Sequence, residues 1–372
     1  MEVVNQLAYH YYKSGIAPKA VPYLLEAGER SRRDWAIFET IRWFSQALEV
    51  MKDDEKWNRE RIETLEALGG LYGLAAEPEE ANECYQKGIT STDDEAIKDR
   101  MRRKIRRKKI VENDGVKLAY YVYGEGEPTI FLLARTPTAE LWIPQVTYFS
   151  QKCKVVTVDM RGTGESDKPP SEYTLDMYVD DLKSIIDDLQ DKTIIFVGSF
   201  SGAKIAVKYV TSYPGKISKL VLASFNPAPV STMPGFDKKV FEENRERALD
   251  SPSLGVRRFW EKTFPDPRFE SLREWGLKSS EKTPPEIFVK SLYNLFKEDV
   301  RPLLEKINIP TLILTGDKTA FALKKVKYLK EKIPESKTFI FKGIDSCFLN
   351  MFAANKFNKI LENFIKTNEL KD

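Results

Sequence analysis

Ser201 and Lys204 stand three residues apart at the head of a run, AKIAVKYV, that reads as a helix, which sets a lysine amine one turn from a serine hydroxyl. A desolvated lysine with a lowered pKa can serve as the base toward such a serine. Ser199 is a second hydroxyl in the same stretch, Gly198-Ser199-Phe200-Ser201-Gly202. The side chain most often used as that base is nearly missing, because the one histidine in 372 residues is His10. It sits among Tyr9, Tyr11 and Tyr12 and reads as a surface or packing residue of a first helix. Cys347 is a free-thiol candidate that reads more simply as a small buried hydrophobe. No Cys/His spacing suits a metal, and neither a G-x-x-x-x-G-K-[ST] loop nor a nucleotide fingerprint occurs, so neither metal nor cofactor is expected.

The elements that must position these groups change character near residue 105. Before it, apolar and small residues recur at helical spacing, and Leu7, Ala8, Tyr11, Ala20, Leu24 and Ala27 share their offsets with Leu68, Gly69, Tyr72, Ala81, Tyr85 and Gly88. The pattern resembles tetratricopeptide repeats, with WAIFETIRWFSQALEVM (35–51) as a further second helix bearing Thr40, Phe44 and Ala47 at the matching places. The resemblance implies a protein or peptide partner on residues 1–105.

From residue 106 short apolar runs alternate with amphipathic stretches, the signature of an α/β sheet. Asn113-Asp114-Gly115 reads as a hairpin turn before LAYYVY (118–123), and runs follow at 129–133, 154–158, 193–197, 219–223, 311–315 and 337–342. The stretch 224–305 is too long for a crossover and carries Phe236, Phe241, Phe259, Trp260, Phe264, Phe269, Trp275, Phe288, Tyr293 and Phe296. It reads as a cap whose aromatics form its own core, with a small apolar ligand beneath it as the alternative.

Asp159-Met160-Arg161-Gly162-Thr163-Gly164-Glu165-Ser166-Asp167-Lys168-Pro169, the Gly198–Gly202 stretch between a strand and a helix, IPTLILTGD (309–317) and YLKEKIPESKTFIFKGIDS (328–346) together resemble the α/β-hydrolase superfamily. The resemblance implies an eight-stranded, mostly parallel sheet with a helical cap, following an all-α repeat domain. It also assigns positions. The middle of Gly198–Gly202 is the nucleophile's place on a strained elbow, and Phe200 occupies it. The acid's place falls on Thr319, with Asp317 within reach of a shorter loop, and the histidine's place on Ser346. The oxyanion segment, usually His-Gly, is Ala134-Arg135, where backbone N–H groups still suffice to bind an anion.

These departures imply a non-catalytic member, a pseudoenzyme acting as a ligand-binding or protein-interaction module. The rival is an unconventional serine hydrolase using Ser201, with Lys204 as base and Asp317 as fallback acid, or Ser199; a shifted elbow would put Ser201 itself at the apex. The region around Ala134, Arg135, Ser199, Phe200 and Ser201 is the candidate pocket in either case.

Net charge is +3, yet residues 98–109 (KDRMRRKIRRKK) hold nine basic residues and one acidic, leaving −5 for the remainder. An adaptor function toward an anionic partner would run through Arg102, Arg103, Arg106 and Arg107, although the run lacks the aromatics that stack nucleic-acid bases. A solvated last helix leading into the first strand is the plainer reading. Hydrophobic residues at 42% and charged residues at 31% fit a globular protein. Three scattered cysteines, no basic-then-apolar leader and no apolar run of membrane-spanning length make a cytoplasmic location the expectation.

Overall fold

A computed structural model of the chain describes residues 2–52, 54–134, 139–233, 235–264, 267–318, 320–344 and 348–368, without the side chains of 2, 268 and 320–323. The chain divides into two compact units, Met1–Arg106 with Phe264–Ser279, and Arg107–Thr263 with Ser280–Asp372. No helix among the described residues is long and apolar enough to cross a membrane.

The first unit opens with α1 (Glu2–Ser14), α2 (Ala17–Arg33), α3 (Ile37–Met51), α4 (Asn58–Leu74), α5 (Pro78–Thr90) and α6 (Glu95–Arg102). Proline at the start of α2 and α5 fits the helix position that has no backbone acceptor to lose, and Asp94 caps α6 by accepting the N–H groups of Ala96 and Ile97. Helices pack in close pairs because small residues face large ones. A Cβ on Gly69 would lie 2.5 Å from the Tyr85 ring, so α4 and α5 can approach only with hydrogen there. Ala8, Ala20, Leu24, Ala27, Trp43, Ala47 and Met51 form one buried cluster of this unit.

In the second unit eight strands form one sheet: β1 (Arg107–Asn113), β2 (Val116–Tyr123), β3 (Thr129–Ala134), β4 (Val155–Asp159), β5 (Ile194–Ser199), β6 (Ile217–Ala223), β7 (Thr311–Gly316) and β8 (Ser336–Phe341). Their order is β1-β2-β4-β3-β5-β6-β7-β8, with β1/β2 and β2/β4 antiparallel and the other pairs parallel. The β1–β2 turn uses Asp114 (φ 49°) and Gly115 (φ 75°), the two positive angles a tight hairpin requires. The inner strands β3 to β7 have almost every residue buried, as a sheet covered on both faces demands.

The helices between strands are α7 (Ile143–Phe149), α8 (Leu175–Leu189) and α9 (Ser201–Ser212). The long insertion after β6 gives α10 (Lys238–Asp250), α11 (Pro252–Thr263), α12 (Glu270–Ser280) and α13 (Pro285–Lys297), and the chain ends with α14 (Ala320–Lys332), α15 (Leu349–Phe352) and α16 (Ala354–Thr367).

The insertion expected as one cap at 224–305 does not stay whole. Phe264–Ser279, with Phe269 and Trp275, groups with the N-terminal helices. The Trp275 indole N–H donates to Leu74 O at 2.7 Å, a carbonyl that the end of α4 leaves without a partner in its own helix. The change of unit otherwise falls after Arg106, one residue past the boundary read from composition.

Candidate active site

Strand order reverses between β4 and β5 around β3, and at such a point the carboxyl ends of the strands leave a crevice. Ala134, Ser199 and Ala223 are in register there. The chain leaves β5 through a sharp turn at Phe200 (φ 53°, ψ −124°) and enters α9 at Ser201. Two neighbours must be hydrogen-only for this turn to close. A Cβ on Gly198 would lie 2.8 Å from the Ala203 backbone, and one on Gly202 2.6 Å from Leu133 O. Phe200 donates its N–H to Ala223 O at 3.1 Å, and its backbone angles fix it as the apex. The alternative register with Ser201 at the apex is thereby corrected.

The two hydroxyls differ in access. Ser199 is 1% exposed, and its Oγ has no partner among the described residues. Ser201 is half-buried at the first position of α9, where backbone N–H groups begin without acceptors in their own helix.

Lys204 is not the base of a serine–lysine pair. Its Nζ donates to Ala228 O (3.1 Å), Leu295 O (3.1 Å) and Glu298 O (2.7 Å), which uses all three ammonium hydrogens. Burial lowers its pKa to about 8, against the opposing pull of Glu298 and Asp299. The spacing is thus realised as a buried tie from α9 to the turn after β6 and to the end of α13.

At the end of β7, Asp317 Oδ1 accepts the Gly343 N–H at 2.7 Å, which joins this carboxylate to the segment leading toward residue 346. Arg135, Thr319, Ser346 and Cys347 lie outside the described residues.

A column of rings rises from the elbow. Phe200 meets Phe348 at 5.2 Å, Phe348 stacks on Trp260 at 5.6 Å and 21°, and Phe259 joins Trp260 to Phe288. Reading 224–305 as an aromatic cap core found the α11 and α13 members of this column but not Phe348, which follows the segment that carries the histidine's place.

Other groups escaped the sequence reading. Asp159 accepts from the Tyr121 hydroxyl (2.5 Å), Glu165 N (2.9 Å) and Ala139 N (3.2 Å), which locks the 159–169 loop under the crevice. Arg161 pairs two-pronged with buried Asp181, which also accepts from Asn113. Glu140, 5% exposed, faces Lys282 at 3.7 Å.

The basic run, read most plainly as a solvated last helix, carries ion pairs along most of its length. Arg102 meets Glu95 (3.3 Å), Arg103 meets Asp99 (2.8 Å), Arg107 meets Glu125 (3.3 Å), and Arg100 and Lys104 both meet Glu66. Arg106 donates its backbone N–H to Asn82 at 2.9 Å. His10 belongs to the first unit, where its ring lies 5.8 Å from that of Tyr9.

The model of the alpha/beta hydrolase fold family matches residues 128–344. The AB hydrolase superfamily protein YisY of Bacillus subtilis (strain 168) is 30% identical over 227 residues, covering 57% of this chain and 82% of that protein. Epoxide hydrolase 4 of Mus musculus is 34% identical over 128 residues, 33% of this chain and 35% of that one. The crystal structure of bromoperoxidase from Bacillus anthracis superposes with a TM-score of 0.64 and 25% identity, over 70% of this chain and all of that one. Relatives named as hydrolases and a peroxidase contradict the expectation of a non-catalytic ligand-binding or interaction module and point instead to an enzyme. With the family model spanning most of the second unit and the elbow, crevice and sheet order in place, the chain belongs to the α/β-hydrolase family.

Proposed function

We propose that this protein hydrolyses activated acyl esters without an imidazole, using the Ser201 hydroxyl at the head of α9. The observation that carries this reading is the retained elbow. Phe200 is held in a backbone conformation that costs about 1–3 kcal/mol, and that turn presents the first N–H groups of α9 at the carboxyl edge of the sheet. Donors so placed stabilise the charge that develops on a carbonyl oxygen under attack, and they need no particular side chain. In serine hydrolases, an oxyanion site with substrate binding but no working triad still gives about 10³–10⁴-fold acceleration over water.

In the reaction, Ser201 Oγ adds to the ester carbonyl as its proton passes to solvent. The alkoxide then leaves with a proton from water, and a second water releases the acid from the serine. The positive end of α9 favours the charged oxygen in both steps. The apolar acyl chain would lie against the half-buried Phe200 ring at the foot of the ring column. Ser199, enclosed at the strand end, is a control rather than a second nucleophile.

The test is release of p-nitrophenol from p-nitrophenyl acetate and butyrate. The expected result is a rate above buffer that Ser201→Ala lowers by about tenfold or more and Ser199→Ala leaves in place. A rate no higher than buffer, or one equal in wild type and Ser201→Ala, overturns the reading.

We further propose that α1–α5 are tetratricopeptide-like repeats that hold a protein or peptide. Support comes from equal offsets that are buried in both pairs of helices: Ala8 with Gly69, Ala20 with Ala81, Leu24 with Tyr85, Ala27 with Gly88. A peptide array probed with the full chain tests this. Binding should be lost on replacing exposed Tyr9 and Lys13 of α1, and an array without such peptides counts against it. A cytoplasmic location is proposed on the free thiols Cys84 and Cys153, each buried and pushed up to about 11 by desolvation. Alkylation before cell lysis should find both reduced, and a disulfide at either would refute it.

A further inference from the structure

β8 is the terminal strand of the sheet, so along one side no strand of this sheet takes its backbone N–H and C=O groups. Between β8 and α16 lies a cleft of about 740 Å³. Phe339, Phe341, Ile344 and Ile360 give it an apolar wall, and Lys342, Lys356 and Lys359 line it as well. Among the described residues none of these lysines has a carboxylate within 4.0 Å. Lys356 Nζ instead sits 4.9 Å from the centre of the Phe339 ring.

The one acid lining the cleft does not neutralise them. Glu362 is penalised by burial, yet Lys152, Lys366 and the Tyr148 hydroxyl hold its carboxyl down at about 2. Its charge is already balanced by lysines outside the cleft. Lysines that merely protect an edge strand from pairing would sit on the strand. Two of these three come from α16, at positions three apart that share a helix face.

We propose that this cleft binds a single-chain amphipathic anion, a fatty carboxylate or an alkyl phosphate, with the hydrocarbon on the Phe339/Phe341/Ile344/Ile360 wall and the head group on the three lysines. The volume lies within the range of small-molecule sites, about 300–1,000 Å³. Apolar area supplies attraction without selectivity, and the ammonium groups select the anion and reject the neutral analogue. Neither Phe200 nor Ser201 lines the cleft, so the inference stands apart from the proposed hydrolysis.

The probe is 11-(dansylamino)undecanoic acid, read by fluorescence on the full chain, with dodecanoate, dodecyl phosphate and dodecanol as competitors. The expected result is saturable binding below about 100 μM, displaced by one or both anions and at least about tenfold more weakly by dodecanol. Which anion competes better identifies the head group. The triple variant Lys342→Gln/Lys356→Gln/Lys359→Gln, changed only at exposed positions, should weaken the probe about tenfold or more with circular dichroism unchanged. Absence of saturable binding, equal displacement by dodecanol, or a triple variant that binds as wild type does would each overturn the proposal.

Discussion

The ring of Phe200 lies 5.2 Å from the ring of Phe348 and tilts 45° to it, so the elbow apex is joined by aromatic contact to the residue beyond the segment where family members carry an imidazole. Both residues hold positive φ, 53° and 51°, which L side chains with large rings adopt at a cost. Phe348 is 2% exposed and stacks on fully buried Trp260. Phe348 packs on the cap through Trp260 and Phe200 packs on Phe348, so ring contacts accompany the strained backbone at both positions.

Phe200→Ala should therefore have two effects. Loss of a half-buried ring costs about 1–2 kcal/mol, less than a fully buried phenylalanine, measured by urea denaturation. Release of p-nitrophenol should fall, and more for the butyrate than for the acetate ester, because the acyl chain loses the ring it would lie against. A variant of unchanged stability would show that the ring column does not support the elbow.

Much of this architecture was legible because it is written at short range. The Gly198/Gly202 spacing is a steric demand of one turn, so it located the apex without any knowledge of the rest of the chain. Buried parallel strands are short apolar runs, and Asp114-Gly115 announces its hairpin locally. What was hidden depends on partners distant in sequence. Lys204 looked like a catalytic amine because Ser201 is near in sequence, whereas its three acceptors come from the turn after β6 and the end of α13. The basic run looked bare because Glu66 and Glu125 lie far from it along the chain. Trp275 looked like cap core because nothing local points to the carbonyl of Leu74.

The tie made by Lys204 predicts a pH dependence of definite sign. Its pKa is lowered, chiefly by burial, from 10.5 to about 8 in the folded chain. Below pH 8 both states carry the proton, and above 10.5 neither does. Between them the unfolded chain holds a proton the native chain has released, so the contribution of this site to stability rises with pH across that window. The gain is at most about 3 kcal/mol. Lys204→Met lacks the titration, and the difference in stability between wild type and variant should move toward wild type from pH 8 to 10 in urea melts. Parallel curves would mean that the amine keeps its proton throughout.

Arg161 and Asp181 form a second buried tie, with side chains 7% and 0% exposed. Asp181→Ala leaves a guanidinium in the interior without its counter-charge and should cost about 3–5 kcal/mol. The double variant Arg161→Met/Asp181→Leu removes both charges and should recover most of that loss. A double variant no more stable than the single one would assign the cost to packing of α8 against β1 instead of to the unpaired charge.

Gly202→Ala tests whether the elbow is held by backbone contact. The new methyl would lie 2.6 Å from Leu133 O and 3.1 Å from Leu133 C, both backbone atoms of a strand paired on either side. A side chain could swing away, but the central strand cannot, so α9 must lift from β3. The expected loss is about 1–3 kcal/mol, against less than about 0.5 for Ser212→Ala at the exposed far end of the same helix. Because lifting α9 withdraws its first N–H groups from the crevice, p-nitrophenyl ester hydrolysis should fall together with stability. Hydrolysis that survives a Gly202→Ala destabilisation of this size would place the reactive site away from the head of α9.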